Sequence, residues 1–305
     1  MKWEKKGLVW GPDGSSSWAR HSALQPTAIS LNDDVIRVYA GFRDDQGIGR
    51  VGYVDVDAAN PARVLNVSDK PVLDIGRPGT FDENGVVPTA VVRRDEGLYL
   101  YYAGYQLGHR VRFVAFGGLA VADANGTHFE RMHEVPITDR TDKELYFRVI
   151  HCIWHDEGRW KAWYGGGSEY VPHNGKTLPV YDIRYMESND GVTFPATGEI
   201  AIGLEDPDEH RVGRPCVIKT DGLYRMFYAA ATKADSFSLG YAESHNGRNW
   251  TRKDDAVGIT RSADGWDSQM MSYPNVIQHG ERVYLFYNGN DYGRAGFGYA
   301  MLQEW

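Results

Sequence analysis

Hydrophobic and polar positions alternate in short runs along the chain, and these runs form a pattern that recurs about every 60 residues. In each copy an apolar run is followed by a polar turn and then by an aromatic strand that ends in small residues. The five copies are QPTAISLNDDVIRVYAG from Gln25, VPTAVVRRDEGLYLYYAG from Val87, VIHCIWHDEGRWKAWYGG from Val149, RPCVIKTDGLYRMFYAA from Arg214 and YPNVIQHGERVYLFYNG from Tyr273.

A third strand follows in every copy, as in LGYAES from Leu239, and a fourth follows in the first four, as in WTRKDDAV from Trp250. Four strands in each of five repeats predict an all-β, five-bladed β-propeller with four-stranded antiparallel blades, as one domain over residues 1–305. The last copy ends before its fourth strand, so residues 3–10 are predicted to pair there and close the ring. Two β-sandwiches are the alternative, but a sandwich does not require a fivefold repeat.

The amino-acid composition argues against several classes of function. Lys and Arg number 33 against 41 Asp and Glu, a net charge of −8, which argues against general nucleic-acid or polybasic membrane binding. Two cysteines cannot build a disulfide framework, and no apolar run has the length of a signal peptide or a membrane span. We therefore expect a cytoplasmic protein without a membrane span, with its oligomeric state left open.

The repeat also predicts which side chains meet. In a propeller the first strand of each blade lines the central channel, so residues just before it lie at one mouth. Asp82, Glu144 and Glu209 occupy equivalent positions before three successive first strands. Paired carboxylates perform acid/base or nucleophilic chemistry on sugars, with separations of roughly 5–5.5 Å for retention and 6.5–9.5 Å for inversion.

The stretches RVYAGFRDDQGIGRVGYVDVD from Arg37, PVLDIGRPGTFDENG from Pro71 and GWDSQMMSYPNVIQHGERVYLFYNGNDYG from Gly265 carry a family resemblance. The chain resembles the five-bladed propeller glycosidase superfamily that includes glycoside hydrolase families 32, 43, 68 and 130. Within it, the nearer resemblance is to predicted glycosidase-like proteins of bacterial glycan and sugar biosynthesis. This implies a carbohydrate-active enzyme with three carboxylates in its funnel.

In that plan Asp82 is the base or nucleophile, Glu209 or Glu144 is the acid, and Glu83 or Asp44 tunes them. Candidate substrate-binding residues lie near the mouth. Arginines that could bind an anionic group are Arg43, Arg148, Arg214 and Arg294. Asp44 could bind sugar hydroxyls, His21 and His210 could transfer protons, and Trp18 and Tyr273 could stack on a sugar face.

Several alternatives stay open. Arg20 and His21 stand where the superfamily commonly places its first Asp, so a glycosyltransferase or phosphorylase using a nucleotide sugar or sugar phosphate competes with hydrolysis. A non-catalytic carbohydrate-binding propeller is the third hypothesis. The expected partner is a small-molecule sugar, a glycoconjugate or a nucleotide sugar. No cofactor is expected, although a structural Ca²⁺ or Na⁺ in the channel is left open.

Overall fold

The computed structural model describes all 305 residues, which form twenty strands and two very short helical segments. The strands fall into five antiparallel groups of four, called units 1 to 5 here. Unit 1 contains β2 (His21–Ser30), β3 (Val35–Arg43), β4 (Gly49–Asp57) and β5 (Val64–Val67). Unit 2 contains β6 (Val86–Arg94), β7 (Gly97–Leu107), β8 (Phe113–Ala122) and β9 (Glu130–Arg131).

The remaining units repeat this order. Unit 3 contains β10 (Phe147–Asp156), β11 (Arg159–His173), β12 (Lys176–Ser188) and β13 (Glu199–Ile202). Unit 4 contains β14 (Glu209–Thr220), β15 (Leu223–Thr232), β16 (Ser238–Ser244) and β17 (Thr251–Arg252), followed by a 3-10 turn (Asp254–Ala256). Unit 5 contains β18 (Ser272–His279), β19 (Arg282–Asn288), a helical turn (Asn290–Gly293) and β20 (Phe297–Glu304).

Unit 5 takes its fourth strand from the beginning of the chain. Strand β1 (Lys2–Trp10) pairs antiparallel with β20, so that Trp3 lies opposite Leu302 and Trp10 opposite Phe297. The predicted pairing of residues 3–10 with the last repeat is therefore present. The fourth strands of units 2 and 4 have only two residues each and are shorter than the sequence pattern suggested.

The first strands occupy the centre of the molecule. β2 contacts β6, β6 contacts β10, β10 contacts β14, β14 contacts β18, and β18 contacts β2. Apolar side chains fill the spaces between neighbouring units: the ring of Trp3, for example, meets that of Phe227 edge-on at 5.7 Å. Because aromatic side chains bury large areas, they account for much of the packing that holds the sheets together.

Glycine in the third strand of a unit permits close packing against the tyrosine that lies opposite it on the second strand. A Cβ atom on Gly118 would lie 2.2 Å from the Tyr102 ring, and one on Gly240 would lie 2.2 Å from the Tyr228 ring. The GLA and LGY sequences at these positions therefore reflect a steric requirement. No helix of the protein has the length and apolar character needed to traverse a bilayer.

Candidate functional site

A cavity of about 220 Å³ lies at the centre of the five units, next to the beginnings of the first strands. We call it the central cavity. Every unit contributes to its lining, for example through Arg43, Tyr105, His151, Arg214 and Tyr273. Ligand pockets usually measure about 300–1,000 Å³, so the central cavity suits one small group such as a monosaccharide.

A β-bulge in each first strand turns side chains toward this cavity. The strand registers shift around Gln25, Arg214 and Tyr273, where the backbone is left-handed with φ of 54°, 57° and 54°. In β6 and β10 the shifts fall at Thr89 and His151. A left-handed non-glycine residue costs roughly 1–3 kcal/mol and is found preferentially at functional sites, and bulges commonly redirect side chains.

The central cavity is lined by positive charge and by no carboxylate. The four cations in its lining are Arg43, Arg112, Arg211 and Arg214, and none of them forms an ion pair with Asp or Glu. Arg214 is buried, Arg43 and Arg211 are half-buried and Arg112 is exposed, and a buried cation such as Arg214 normally has a carboxylate partner. The arrangement favours an anionic ligand.

Arg214 lies deepest, with 3% of its surface exposed. Its Nη2 donates to Thr27 Oγ1 at 2.9 Å and to the Pro26 carbonyl at 3.3 Å, and Nη1 donates to the carbonyls of His151 and Thr89. Burial lowers the pKa of Arg214 to about 10, so the guanidinium stays charged at neutral pH. These neutral oxygens leave a full positive charge beside the cavity, and the buried Nε of Arg214 has no hydrogen-bond partner within the protein.

Arg211 is held by aromatic contacts. Its guanidinium carbon lies 4.4 Å from the centroid of the Phe237 ring, and Nη1 lies 3.5 Å from Tyr292 Oη. The Nε of Arg211 is buried and has no hydrogen-bond partner within the protein. Tyr292 reaches the cavity from a strained turn, because Asp291 and Tyr292 have φ of 53° and 55°.

Neutral hydrogen-bonding groups complete the lining. Burial raises the pKa of Tyr105, Tyr181 and Tyr273, to about 12 for Tyr181, so these phenols remain protonated donors. The Tyr181 ring stacks on Phe147 with centroids 4.9 Å apart. A polar lining of this kind, backed by rings, suits a ligand that has both hydroxyl groups and flat apolar faces.

Two further polar groups lie beside the cavity without partners. Gln25 Oε1 and His151 Nδ1 are buried and make no hydrogen bond within the protein, although both residues are more than nine-tenths buried. Burial, and then the charge of Arg214, lower the pKa of His151 well below its usual range, so the imidazole is neutral. Buried polar atoms normally have partners, so these two point to a bound ligand or solvent.

The structure does not bring the three predicted carboxylates into the central cavity. Asp82 is fully buried, accepts hydrogen bonds from Thr80 at 2.8 Å and Tyr102 at 3.1 Å, and pairs with Arg131 at 2.7 Å. Arg131 belongs to the fourth strand of the same unit. Asp82 therefore ties the segment before the first strand to the outer strands.

Glu144 occupies the equivalent place in unit 3. It is fully buried, its Oε2 lies 2.9 Å from Arg148 Nε, and its Oε1 accepts hydrogen bonds from Arg184 at 3.0 Å and Tyr164 at 2.5 Å. Arg148, which the sequence predicted to bind substrate, forms this ion pair and does not line the cavity. A carboxylate enclosed between two arginines is poorly suited to donate a proton to a sugar.

Glu209 is also held within its own unit. Arg252 of β17 donates to both of its carboxylate oxygens, at 2.8 and 3.0 Å. Burial raises the pKa of Glu209, but the contacts with Arg252 and with backbone N–H groups outweigh burial and lower the pKa overall. In unit 5 the corresponding acid is Asp267, which pairs with Lys5 of β1 at 2.7 Å and accepts from Tyr287 at 3.0 Å. The repeat thus builds a similar clamp four times.

The other two predicted acids stabilise turns. Glu83 accepts the backbone N–H of Gly79 at 2.7 Å. Asp44 pairs with Arg50 at 2.8 Å and accepts hydrogen bonds from backbone N–H groups. Partial burial raises the pKa of Asp44, but these contacts outweigh burial and lower the pKa overall. Neither carboxylate lines the central cavity.

Among the predicted binding residues, Arg43, Arg214 and Tyr273 do line the cavity. His21 lies outside its lining, where burial and the charges of Arg294 and Arg43 lower the pKa of the imidazole. Arg294 is exposed and is also outside the lining.

Two predicted residues have structural contacts elsewhere. His210 is buried, its Nδ1 lies 2.9 Å from the Pro179 carbonyl, and burial lowers its pKa. Trp18 packs on Phe42 with ring centroids 5.3 Å apart, and its Nε1 donates to the Asp69 carbonyl at 3.1 Å. Neither residue lines the central cavity.

The candidate residues drawn from the sequence did not include several polar residues that line the cavity, among them Arg112, Arg211, Tyr181 and Tyr292. Arg211 follows Glu209 by two positions, and residues two apart in a regular strand lie on the same face. A register shift falls between them, and only Arg211 lines the cavity. Arg112 and Tyr292 lie in connections whose path no repeat predicts. No group of three or more His, Cys, Asp or Glu side chains is arranged to hold a metal ion.

Solved structures with the same fold are described as glycoside hydrolases. A structure described as "Glycoside hydrolase" aligns over 99% of this chain and 92% of its own, with a TM-score of 0.75 and 19% identity. A thermostable family-43 glycoside hydrolase aligns over 94% and 90%, with a TM-score of 0.68 and 18% identity. A structure from work on the GH130 family of mannoside phosphorylases and hydrolases aligns over 98% and 93%, with a TM-score of 0.72 and 15% identity. The chain thus shares the fold of the propeller glycosidase superfamily.

No protein-family model matches the chain. Two proteins of Mycobacterium tuberculosis are similar over their full length. The uncharacterized protein MT1551 of strain CDC 1551 is 32% identical over 310 aligned residues, covering 100% of both chains. The uncharacterized protein Rv1502 of strain H37Rv is 31% identical over the same extent. At this identity and coverage, the chain belongs to the protein family that includes MT1551 and Rv1502.

Proposed function

We propose that the protein is a carbohydrate-active enzyme, built as one closed five-bladed propeller domain, whose central cavity binds an anionic saccharide. The contacts of the five first strands in cyclic order and the pairing of β1 with β20 support the closed ring. A sugar substrate is supported by the shared fold with glycoside hydrolases and with a structure from the mannoside phosphorylase family.

The observation that carries the proposal is the set of four arginines in the cavity without a carboxylate partner. Arginine binds phosphate and carboxylate groups through a planar fork of N–H donors, and such charge-assisted bonds are about twice as strong as neutral ones. The protonated phenols of Tyr105, Tyr181 and Tyr273 add neutral donors for the same anion or for sugar hydroxyls. The ligand class is therefore a sugar that carries phosphate or carboxylate.

The same lining favours phosphate-dependent chemistry over hydrolysis by two carboxylates. Such hydrolysis needs two acids at the anomeric carbon, and the central cavity has none in its lining. Hydrogen phosphate held by the arginines would supply the nucleophile itself. Its oxygen would bond to the anomeric carbon as the glycosidic C–O bond breaks, and its proton would leave on the departing alcohol.

The test is product analysis. Labelled oligosaccharides are incubated with the purified protein with and without phosphate, and the reverse reaction is supplied with glycosyl 1-phosphates and acceptor sugars. In the forward reaction we expect a glycosyl phosphate that forms only when phosphate is present. In the reverse reaction we expect the glycosyl group to be transferred to the acceptor sugar, and both reactions should depend on Arg43. Release of free sugar at equal rates with and without phosphate would contradict the proposal.

A non-catalytic carbohydrate-binding propeller is the second candidate, and the lack of any lining carboxylate favours it. It predicts saturable binding of anionic saccharides and no turnover of them in either direction. The product analysis above, combined with a binding titration on the same sugars, distinguishes the two candidates.

A further inference from the structure

A second opening adjoins the central cavity. This groove, of about 930 Å³, runs outward between the connection after β7 and the tip of the β11–β12 hairpin. The cavity and the groove share lining residues, among them Arg112, Phe113, Arg211 and Tyr292. A ligand can therefore extend from one into the other.

The groove is also cationic. Arg110, Arg112, Arg211 and Lys176 line it, and no Asp or Glu does. None of these side chains forms an ion pair with a carboxylate, in a protein whose net charge is −8. A cationic path that continues for the length of the groove favours a ligand with more than one negative charge.

Arg112 and Arg211 belong to both spaces and so mark the junction. The guanidinium of Arg211 is held over the Phe237 ring, and its buried Nε has no partner within the protein. A diphosphate carries two adjacent anionic groups, so one can contact Arg211 at the cavity and the other Arg112 toward the groove. A monophosphate would leave one of these cations without a partner.

Resting on the proposed function, we propose that the groove is the second subsite for a diphosphate-linked saccharide. The sugar occupies the central cavity, the diphosphate lies at Arg112 and Arg211, and the group beyond the diphosphate lies in the groove near Tyr170 and Lys176. Nucleosides and prenyl chains are two sources of such a group, and the shared diphosphate is what the arginines recognise.

Isothermal titration calorimetry tests this with inorganic phosphate, inorganic pyrophosphate, glucose 1-phosphate, uridine diphosphate glucose, adenosine diphosphate glucose and farnesyl diphosphate. We expect pyrophosphate to bind at least about tenfold more tightly than phosphate, and a diphosphate-linked probe to exceed glucose 1-phosphate by a similar factor. Preference for the nucleotide sugars or for farnesyl diphosphate identifies the source.

Variants assign the site. Arg110 and Lys176 are exposed and line the groove but not the cavity, so Arg110→Gln and Lys176→Gln should fold normally. We expect each to weaken the diphosphate-linked probe about tenfold while glucose 1-phosphate changes less than about twofold. Arg282→Gln, at the exposed first residue of β19 and outside both the cavity and the groove, is the matched control and should change neither.

The outcomes separate the two proposals. If phosphorylated monosaccharides bind but pyrophosphate gains nothing and the groove variants have no effect, the second subsite is overturned and the proposed function stands. If the diphosphate-linked probe binds without sensitivity to Arg110 or Lys176, the groove is likewise excluded. If no anionic sugar or phosphate binds at all, the proposed function fails together with the inference.

Discussion

Replacing Asp82 with Asn distinguishes a structural acid from a catalytic one. Asn keeps the size of the side chain and one oxygen acceptor but removes the charge that faces Arg131. Breaking a buried ion pair by removing one partner costs about 3–5 kcal/mol, and a hydrogen bond to a charged group contributes about 1.5–3 kcal/mol. Asp82 is fully buried, whereas the Arg131 side chain is 21% exposed and also donates to the Asp74 carbonyl.

Because water reaches Arg131, we expect the loss for Asp82→Asn to lie near the lower limit, about 2–3 kcal/mol. With an unfolding entropy of about 2.1 cal/mol/K per residue, a chain of 305 residues shifts its Tm by about 1.6 °C per kcal/mol, so a fall of roughly 3–5 °C is expected. Differential scanning calorimetry measures it. Glu134→Gln makes the same chemical change in an exposed ion pair with Arg77 and should leave Tm nearly unchanged.

The double variant Asp82→Asn/Arg131→Gln should recover part of the stability, because it removes the uncompensated cation as well. Affinity for an anionic sugar should be unchanged in Asp82→Asn at temperatures where the protein is folded. An unchanged Tm together with lost turnover would refute the structural role and return Asp82 to the reacting centre.

Three other changes follow from the structure. Arg43→Gln should weaken an anionic sugar at least about tenfold in a calorimetric titration without lowering Tm, because it removes a cavity charge that has no ion-pair partner; equal affinity would exclude Arg43 from the site. Gly118→Ala should lower Tm strongly, since its Cβ would lie 2.2 Å from Tyr102, whereas Gly203→Ala, with its nearest atom at 3.6 Å, should not; similar melting curves would contradict the packing. Burial lowers the pKa of His210, so the unfolded chain binds more protons and stability should fall as pH drops below about 6.5; His210→Gln should flatten that slope in melting curves taken at several pH values, and an unaltered slope would contradict it.

The sequence predicted the strands well because they depend on a local pattern repeated five times. The alternation of side chains and the turn residues set each hairpin, and the missing fourth strand of the last repeat predicted its pairing with the N-terminal residues. The predicted equivalence of Asp82, Glu144 and Glu209 also has a structural counterpart, since each lies before or at the start of a first strand and binds arginine in its own unit.

The direction of those side chains could not be read from the repeat. The same equivalence fits acids that converge on an axis and acids that clamp each sheet, and only the positions of Arg131, Arg184 and Arg252 on outer strands decide between them. Arg214 and Tyr273 were found because each directly precedes the first apolar run at an equivalent position of the repeat. Arg211 was missed because the bulges interrupt the alternation that would have placed it.

The most direct measurement compares monosaccharides with their 1-phosphates by calorimetric titration of the wild-type protein at low and moderate salt. We expect one sugar phosphate to bind at least about 100-fold more tightly than its neutral counterpart, inorganic phosphate to compete with it, and added salt to weaken it. Equal binding of the neutral and the phosphorylated sugar, insensitive to salt, would contradict an arginine-lined anion site at the centre of the protein.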